Sequence, residues 1–338
     1  MPIIDFHTHT FPDKIAEKAV QKLRCSSHIR PYSDGTAEGL RQKAAEAGVS
    51  LSVILPVATS PKQVEHINNG AILRNQEEAE RFGSDLEEPG AGTASRLLSF
   101  GCIHPEYPDY AAELRRIAEA GVPGIKLHAY FQGCDMDDIR MLRILDACAE
   151  NGLIVAAHAG YDQGFPGQHN CTVPMLRSVM RQVKGLTMIA AHMGGWKEWE
   201  QVPELLADTG IYLDTSFAVG HVEPDEGDEK YWDVGHFEPD PGMKTCLQNA
   251  PEEEIAAFRE TASRRSVFGS TELLSPGWFA EIVRAFPAEH IVFATDSPWT
   301  DAETAIAFIR STDLTDGQKD DILGRTAAKL LRVYSALT

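Results

Sequence analysis

Asp5, His7 and His9 stand two residues apart near the start of the chain, in Ile3-Ile4-Asp5-Phe6-His7-Thr8-His9. Side chains of an extended strand alternate, so this spacing predicts one shared face, opposite Ile4 and Phe6. Three later apolar runs end on the same kind of residue: Ala156-Ala157-His158, Ala190-Ala191-His192 and Ala294-Thr295-Asp296. Imidazoles and a carboxylate gathered in one place are costly to desolvate unless they share a cation or pair with each other. Neutral imidazole and carboxylate oxygen suit Zn2+ first, with Mn2+, Fe2+ and Co2+ as alternatives. An ion held by three or four such groups keeps an open position and drives the pKa of its water toward neutrality. Each motif alone says little. A terminal histidine can cap a carbonyl, and Asp296-Ser297-Pro298 can simply open a turn. The informative feature is that four strand ends offer the same chemistry.

A fifth strand end adds a cation. In Gly124-Ile125-Lys126-Leu127-His128, Lys126 and His128 share a face and are expected at the same site. Lys126 as an ammonium would hold a substrate carboxylate; the competing reading pairs it with Asp5 beneath the site, because a buried lysine needs a partner. His104 and Trp299 are further candidates for substrate contact, against carbonyl capping for the histidine and plain packing for the tryptophan. His169, on the loop after the fifth strand, is a weaker candidate.

These residues need a scaffold that brings strand ends to one rim. Short apolar runs alternate with amphipathic stretches, the pattern of repeated βα units around a parallel sheet. Eight strands are expected: Ile3–His7, Leu51–Pro56, Leu97–His104, Gly124–His128, Leu153–His158, Thr187–His192, Ile211–Thr215 and Ile291–Asp296. Eight strands with helical crossovers predict a single α/β domain over 1–338, a (β/α)8 TIM barrel with its active site at the carboxyl ends of the strands. Ala156, Ala190 and Ala294, two residues before the candidate ligands, would leave room above the packed layers. Loop insertions are expected after strand two (Ser60–Arg96) and after strand seven. The latter is an acidic stretch, Gly220–Pro251, that could form an active-site lid, with a further short strand at Ser266–Ser270.

Composition narrows the partners. The chain has 338 residues, 43% of them hydrophobic, with 31 Lys and Arg against 50 Asp and Glu, a formal charge of −19. Such a surface repels phosphate backbones, so nucleic acid is not expected. No membrane-spanning apolar run and no signal region occur, and six scattered cysteines form no Cys-x-x-Cys pair, which points to a cytoplasmic protein with reduced thiols. The expected partner is a small molecule, and a homo-oligomer is compatible with the pattern.

The ordered motifs resemble the amidohydrolase superfamily, within the amidohydrolase-related group that includes aminocarboxymuconate semialdehyde decarboxylase. The resemblance rests on Ile4-Asp5-Phe6-His7-Thr8-His9, Gly124–His128, Ala157-His158-Ala159-Gly160, Ala191-His192-Met193-Gly194-Gly195, Phe293–Trp299 and the closing Ile322–Leu331 segment. It implies His7, His9, His158 and Asp296 as ligands of one divalent metal. His192 would be the acid–base partner, and Asp296 would also accept a proton from water. In binuclear members a carbamylated lysine at the position of Lys126 bridges a second ion, with His158 and His192 holding it. The implied activity is hydrolysis of a small carboxylated amide, ester or lactone through metal-activated water. The alternative is metal-dependent non-oxidative decarboxylation of a small unsaturated or aromatic acid. A metal-binding protein without turnover is disfavoured by the open coordination position.

Overall fold

The computed structural model describes residues 1–83, 95–162, 164, 165, 167–223, 225 and 273–333. Most of the expected lid at 220–251, the strand at 266–270 and the tip of the loop after strand two lie outside the described residues.

Among the described residues nine parallel strand segments carry the fold: β1 Ile3–Thr8, β2 Val49–Ile54, β3 Arg96–Ser99, β4 Gly101–Cys102, β5 Gly124–Leu127, β6 Ile154–Ala157, β7 Met188–Ala190, β8 Tyr212–Asp214 and β9 Ile291–Val292. They run in the order β1-β2-β3 and β4-β5-β6-β7-β8-β9. β3 and β4 are two halves of one barrel strand, interrupted at Phe100, whose N–H donates to Ile54 O at 2.9 Å. The other seam closes through Phe6 N–H to Phe293 O at 2.9 Å and Asp296 N–H to His7 O at 2.8 Å. The result is the expected (β/α)8 barrel, with β3 and β4 counted as one strand.

Two apolar layers form the core. Ile4, Phe6, Leu51, Val53, Phe100, Ile154, Ala156, Ile189, Val292 and Ala294 come from strands all round the barrel and fill it. Ala327, Ala328 and Leu331 of the closing helix (Thr326–Leu331) pack against the same cluster. Gly324 lets that segment approach: a Cβ there would lie 2.1 Å from the Pro2 carbonyl oxygen. Outward strand residues such as Ile125, Leu127, Val155, Met188 and Ala190 join the helices in the outer layer. Ala190 therefore does not open space inside the barrel as Ala156 and Ala294 do. The outer helices start where the sequence supplies an oxygen acceptor: the side chains of Thr36, Asp138, Thr172, Ser275 and Asp301 each accept a backbone N–H in the first turn.

The long loop after β2 folds into the helix Val64–Phe82. Among the described residues no helix is long and apolar enough to cross a membrane.

Candidate metal centre and active site

The first strand does not alternate as expected. Ile4 and Phe6 point into the barrel, while Asp5 faces the other way. The Asp5 carboxylate accepts the Thr295 N–H at 3.0 Å and the Thr295 hydroxyl at 2.6 Å, and Asp5 borders a small outer cavity with Leu40 and Lys43. The pairing of β1 with β2 slips between Asp5 and Thr8. Such an irregularity re-aims side chains, and here it turns His7 toward the rim although Phe6 already faces inward. Burial pushes the Asp5 carboxyl up to about 7. Asp5 is thus a wall residue, and the competing reading that paired it with Lys126 is not what the structure shows.

His7, His9 and Asp296 converge. His7 Nε2 and His9 Nε2 lie 3.2 Å apart, and Asp296 Oδ1 lies 3.0 Å from His9 Nε2 and 3.4 Å from His7 Nε2. Ligands about 2.0–2.1 Å from a tetrahedral ion stand roughly 3.3–3.4 Å from one another, so these three donors already have the spacing of a coordination face. The rings meet at 76° and are not stacked, which lets both in-plane lone pairs aim at one point. His9 Nδ1–H donates to Leu55 O at 2.9 Å and His7 Nδ1–H to Asp214 Oδ2 at 2.9 Å, leaving both Nε2 atoms as acceptors. Asp296 sits beyond β9 with φ 67°, a left-handed turn and not a strand end. Burial alone would raise its pKa, but His7 and His9 hold it below the usual carboxylate value.

Lys126 rises from β5 into the same space. It is 0% exposed, and its Nζ donates to His7 Nε2 at 3.0 Å. Burial lowers its pKa to about 8, and the same burial, aided by Lys126, takes His7 down to about 4. At neutral pH the pair is therefore an ammonium beside a neutral imidazole.

His158 is not part of this trio. Its donors group with His128 and Asp162: His128 Nε2 lies 3.3 Å and His158 Nε2 3.8 Å from Asp162 Oδ2. The two rings are stacked, 4.4 Å apart at 21°. An ion bound by both would sit out of both ring planes, so this group has the composition of a metal site without its geometry. His128 Nε2 lies 3.3 Å from Asp162 Oδ2, while its buried Nδ1 has no hydrogen-bond partner among the described residues. Burial pushes His128 and His158 well below the ordinary histidine pKa and raises Asp162 to about 6. Gly160, with φ +82°, lets the chain turn between these groups; a Cβ there would lie 2.2 Å from Trp196 N.

His192 bridges the two groups. Its Nε2 is 3.0 Å from His158 Nδ1, and its Nδ1–H donates to Ser216 O at 2.9 Å. Burial holds it below its ordinary pKa. It stands just past β7 in a left-handed turn with φ 58°, followed by Met193 at 54°. Beside it Trp196, Phe217, Val222, Leu273, Tyr161 and Trp299 form an apolar wall, so Trp299 packs next to the centre.

His104 turns onto its own loop, where its Nδ1 accepts the Glu106 N–H at 3.2 Å, so it joins neither group. His169 is exposed. The sequence reading missed Asp162, Asp214 and Ser216. Asp162 carries no signal beyond a polar residue four after a rim histidine. Asp214 and Ser216 could have been found, because a buried carboxylate and a hydroxyl two apart at the end of a strand repeat the logic of His7 and His9.

The family model described as Amidohydrolase matches residues 4–333. No curated protein matches the chain by sequence. Among solved structures, 5-carboxyvanillate decarboxylase from Sphingomonas paucimobilis is 15% identical with TM-score 0.58, covering 98% of this chain and 99% of that one. Dihydroxybenzoic acid decarboxylase from Polaromonas sp. JS666, with bound manganese and 2-nitroresorcinol, is 12% identical with TM-score 0.58 over 98% and 97%. A protein assigned as a 2-pyrone-4,6-dicarboxylic acid hydrolase from Pseudomonas putida is 15% identical with TM-score 0.54 over 98% of both chains. At these identities the structures speak for the fold alone. The family match spans nearly the whole sequence, and the chain belongs to the amidohydrolase family.

Proposed function

We propose that the chain is a metal-dependent hydrolase of a small carboxylated amide, ester or lactone, with one divalent ion held by His7, His9 and Asp296. The observation that carries this reading is the spacing of those three donors, 3.0, 3.2 and 3.4 Å, on rings that are not stacked. His158, expected as a fourth ligand, is assigned instead to the hydrogen-bonded pair with His192. When bound, the ion polarises a carbonyl and acidifies water. Zinc suits the donor set, and the manganese in the decarboxylase relative supports a divalent ion of this kind. Lys126 stays an ammonium and holds the substrate carboxylate, so no carbamate is invoked. Asp296 accepts the proton released from water, and His192 Nε2 stands as the second acceptor. The apolar wall of Trp196, Phe217 and Trp299 excludes water from one side of the site.

Decarboxylation is the second reading, supported by the two decarboxylases among the structural relatives. Hydrolysis is placed first because Asp296 and His192 stand beside the proposed ion, where they can take the proton that water releases; in decarboxylation the Lys126 ammonium would supply the proton to carbon. Turnover of carboxylated amides, lactones and unsaturated acids in 18O-labelled water, with carbon dioxide monitored, tests the choice. Label in the product is expected; carbon dioxide released without label would make the chain a carboxy-lyase.

A further inference from the structure

The best-buried carboxylate near the centre is neither a donor of the trio nor a member of the stacked group. Asp214, the last residue of β8, is 1% exposed, and each of its oxygens has a separate task. Oδ2 accepts His7 Nδ1–H at 2.9 Å. Oδ1 accepts the His192 N–H at 3.0 Å, the Ser216 N–H at 3.0 Å and the Ser216 hydroxyl. Lys126 Nζ, which as an ammonium can only donate, lies 3.0 Å from His7 Nε2. With Nε2 accepting, the proton between His7 and Asp214 sits on Nδ1 and Oδ2 accepts it. The opposite nitrogen, which faces His9 and Asp296 and takes the Lys126 ammonium, then carries the lone pair. On the other side, Oδ1 pulls on the amide of a residue whose backbone is left-handed, a conformation that a residue with a Cβ keeps only where its surroundings enforce it. Trp199 Nε1–H, donating to His192 O at 2.7 Å, grips the same residue from its carbonyl side.

We propose that Asp214 is a positioning residue serving both halves of the site: one carboxylate fixes the tautomer of His7 and, with Ser216, the strained turn that presents His192. The inference deepens the proposed function and rests on it for the identity of the centre, although the tautomer it predicts exists without any ion. Asp214→Asn is the informative variant. A carboxamide has one accepting oxygen, so an N–H must face either His7 Nδ1 or the three donors at Oδ1. Facing His7, it forces that proton onto Nε2 and blocks the donor; facing the other side, it loosens the turn at His192.

The test is 15N-histidine NMR of the metal-free protein, with His7 assigned through His7→Gln, alongside Mn2+ titration of wild type and Asp214→Asn. Wild-type His7 should be protonated at Nδ1. Asp214→Asn should move that proton to Nε2 and weaken Mn2+ by about 10–100-fold, the usual effect of losing the partner of a ligating histidine. A wild-type His7 protonated at Nε2 overturns the inference, whether or not the variant folds. So does an Asp214→Asn protein with unchanged tautomer and Mn2+ affinity within about twofold of wild type. If wild type binds no Mn2+ while His7 carries its proton on Nδ1 in an Asp214-dependent way, the metal reading fails and the positioning role stands.

Discussion

His7, His9 and Asp296 are two imidazoles and a carboxylate; so are His128, His158 and Asp162, across the same rim. Composition does not separate the two groups, but orientation does. In the first, rings crossing at 76° aim two accepting nitrogens and a carboxylate oxygen at a common point. In the second, rings at 21° lie face over face, and the carboxylate bridges their edges from a loop. The origin of the difference is what holds each ring from behind. His7 is fixed by Asp214 and His9 by the Leu55 carbonyl, both strongly directional acceptors on the scaffold. Among the described residues His128 has Asp162 Oδ2 3.3 Å from its Nε2 and no hydrogen-bond partner at Nδ1, and the ring of His158 is turned by His192 Nε2 and the Tyr161 carbonyl. The group proposed to hold the metal has its outer nitrogens tied down, as ligating histidines commonly do, and His128 does not.

The comparison can be broken by substitution. The largest effect is expected at the first group: Asp296→Ala should abolish metal binding and nearly all turnover while the thermal unfolding midpoint moves little, because Asp296 lies outside the packed layers. Bound metal persisting at wild-type affinity in this variant would dissolve the distinction. Next comes the bridge between the groups. His192→Asn should retain the ion and lose on the order of 10²–10⁴ in kcat, the usual worth of a positioned acid–base group; loss of metal instead would make His192 a ligand. Lys126→Met removes the cation at the base of the site. It should raise KM for carboxylated substrates by about 10–100-fold, as expected for a lost charge-assisted hydrogen bond, with a smaller change in kcat and none for an uncharged analogue. The smallest effect belongs to the second group. Asp162→Asn keeps a partner for His128 Nε2–H and should leave metal content unchanged with no more than a few-fold loss of rate; metal content halved by this change would show a second ion there.

Much of this was legible in the sequence. The alternation of apolar runs and amphipathic stretches specified the barrel, because a parallel strand covered on both faces leaves no other pattern. The polar residues ending those runs marked the rim. Strict alternation held through Phe6 and failed at His7, so Asp5 and His7 part company; the register slip before Thr8 is set by packing between strands and has no local signature. The expected strand ends at His192 and Asp296 are left-handed turns, whose geometry comes from Asp214, Trp199 and the closing seam and not from their own residue types. The ligand set shifted for a related reason. His158 leaves its run on the expected side, but its ring direction is decided by His128, Asp162 and His192, residues distant in sequence.

One ion is expected at the convergent group and none at the stacked one. Metal analysis of three purified proteins, wild type, the His7→Ala/His9→Ala variant and the His128→Ala/Asp162→Ala variant, each saturated with Zn2+ or Mn2+ and freed of excess, tests it most directly. The expected result is one ion per chain in wild type and in the His128/Asp162 variant, and none in the His7/His9 variant. An ion kept by the His7/His9 variant and lost from the His128/Asp162 variant would contradict it.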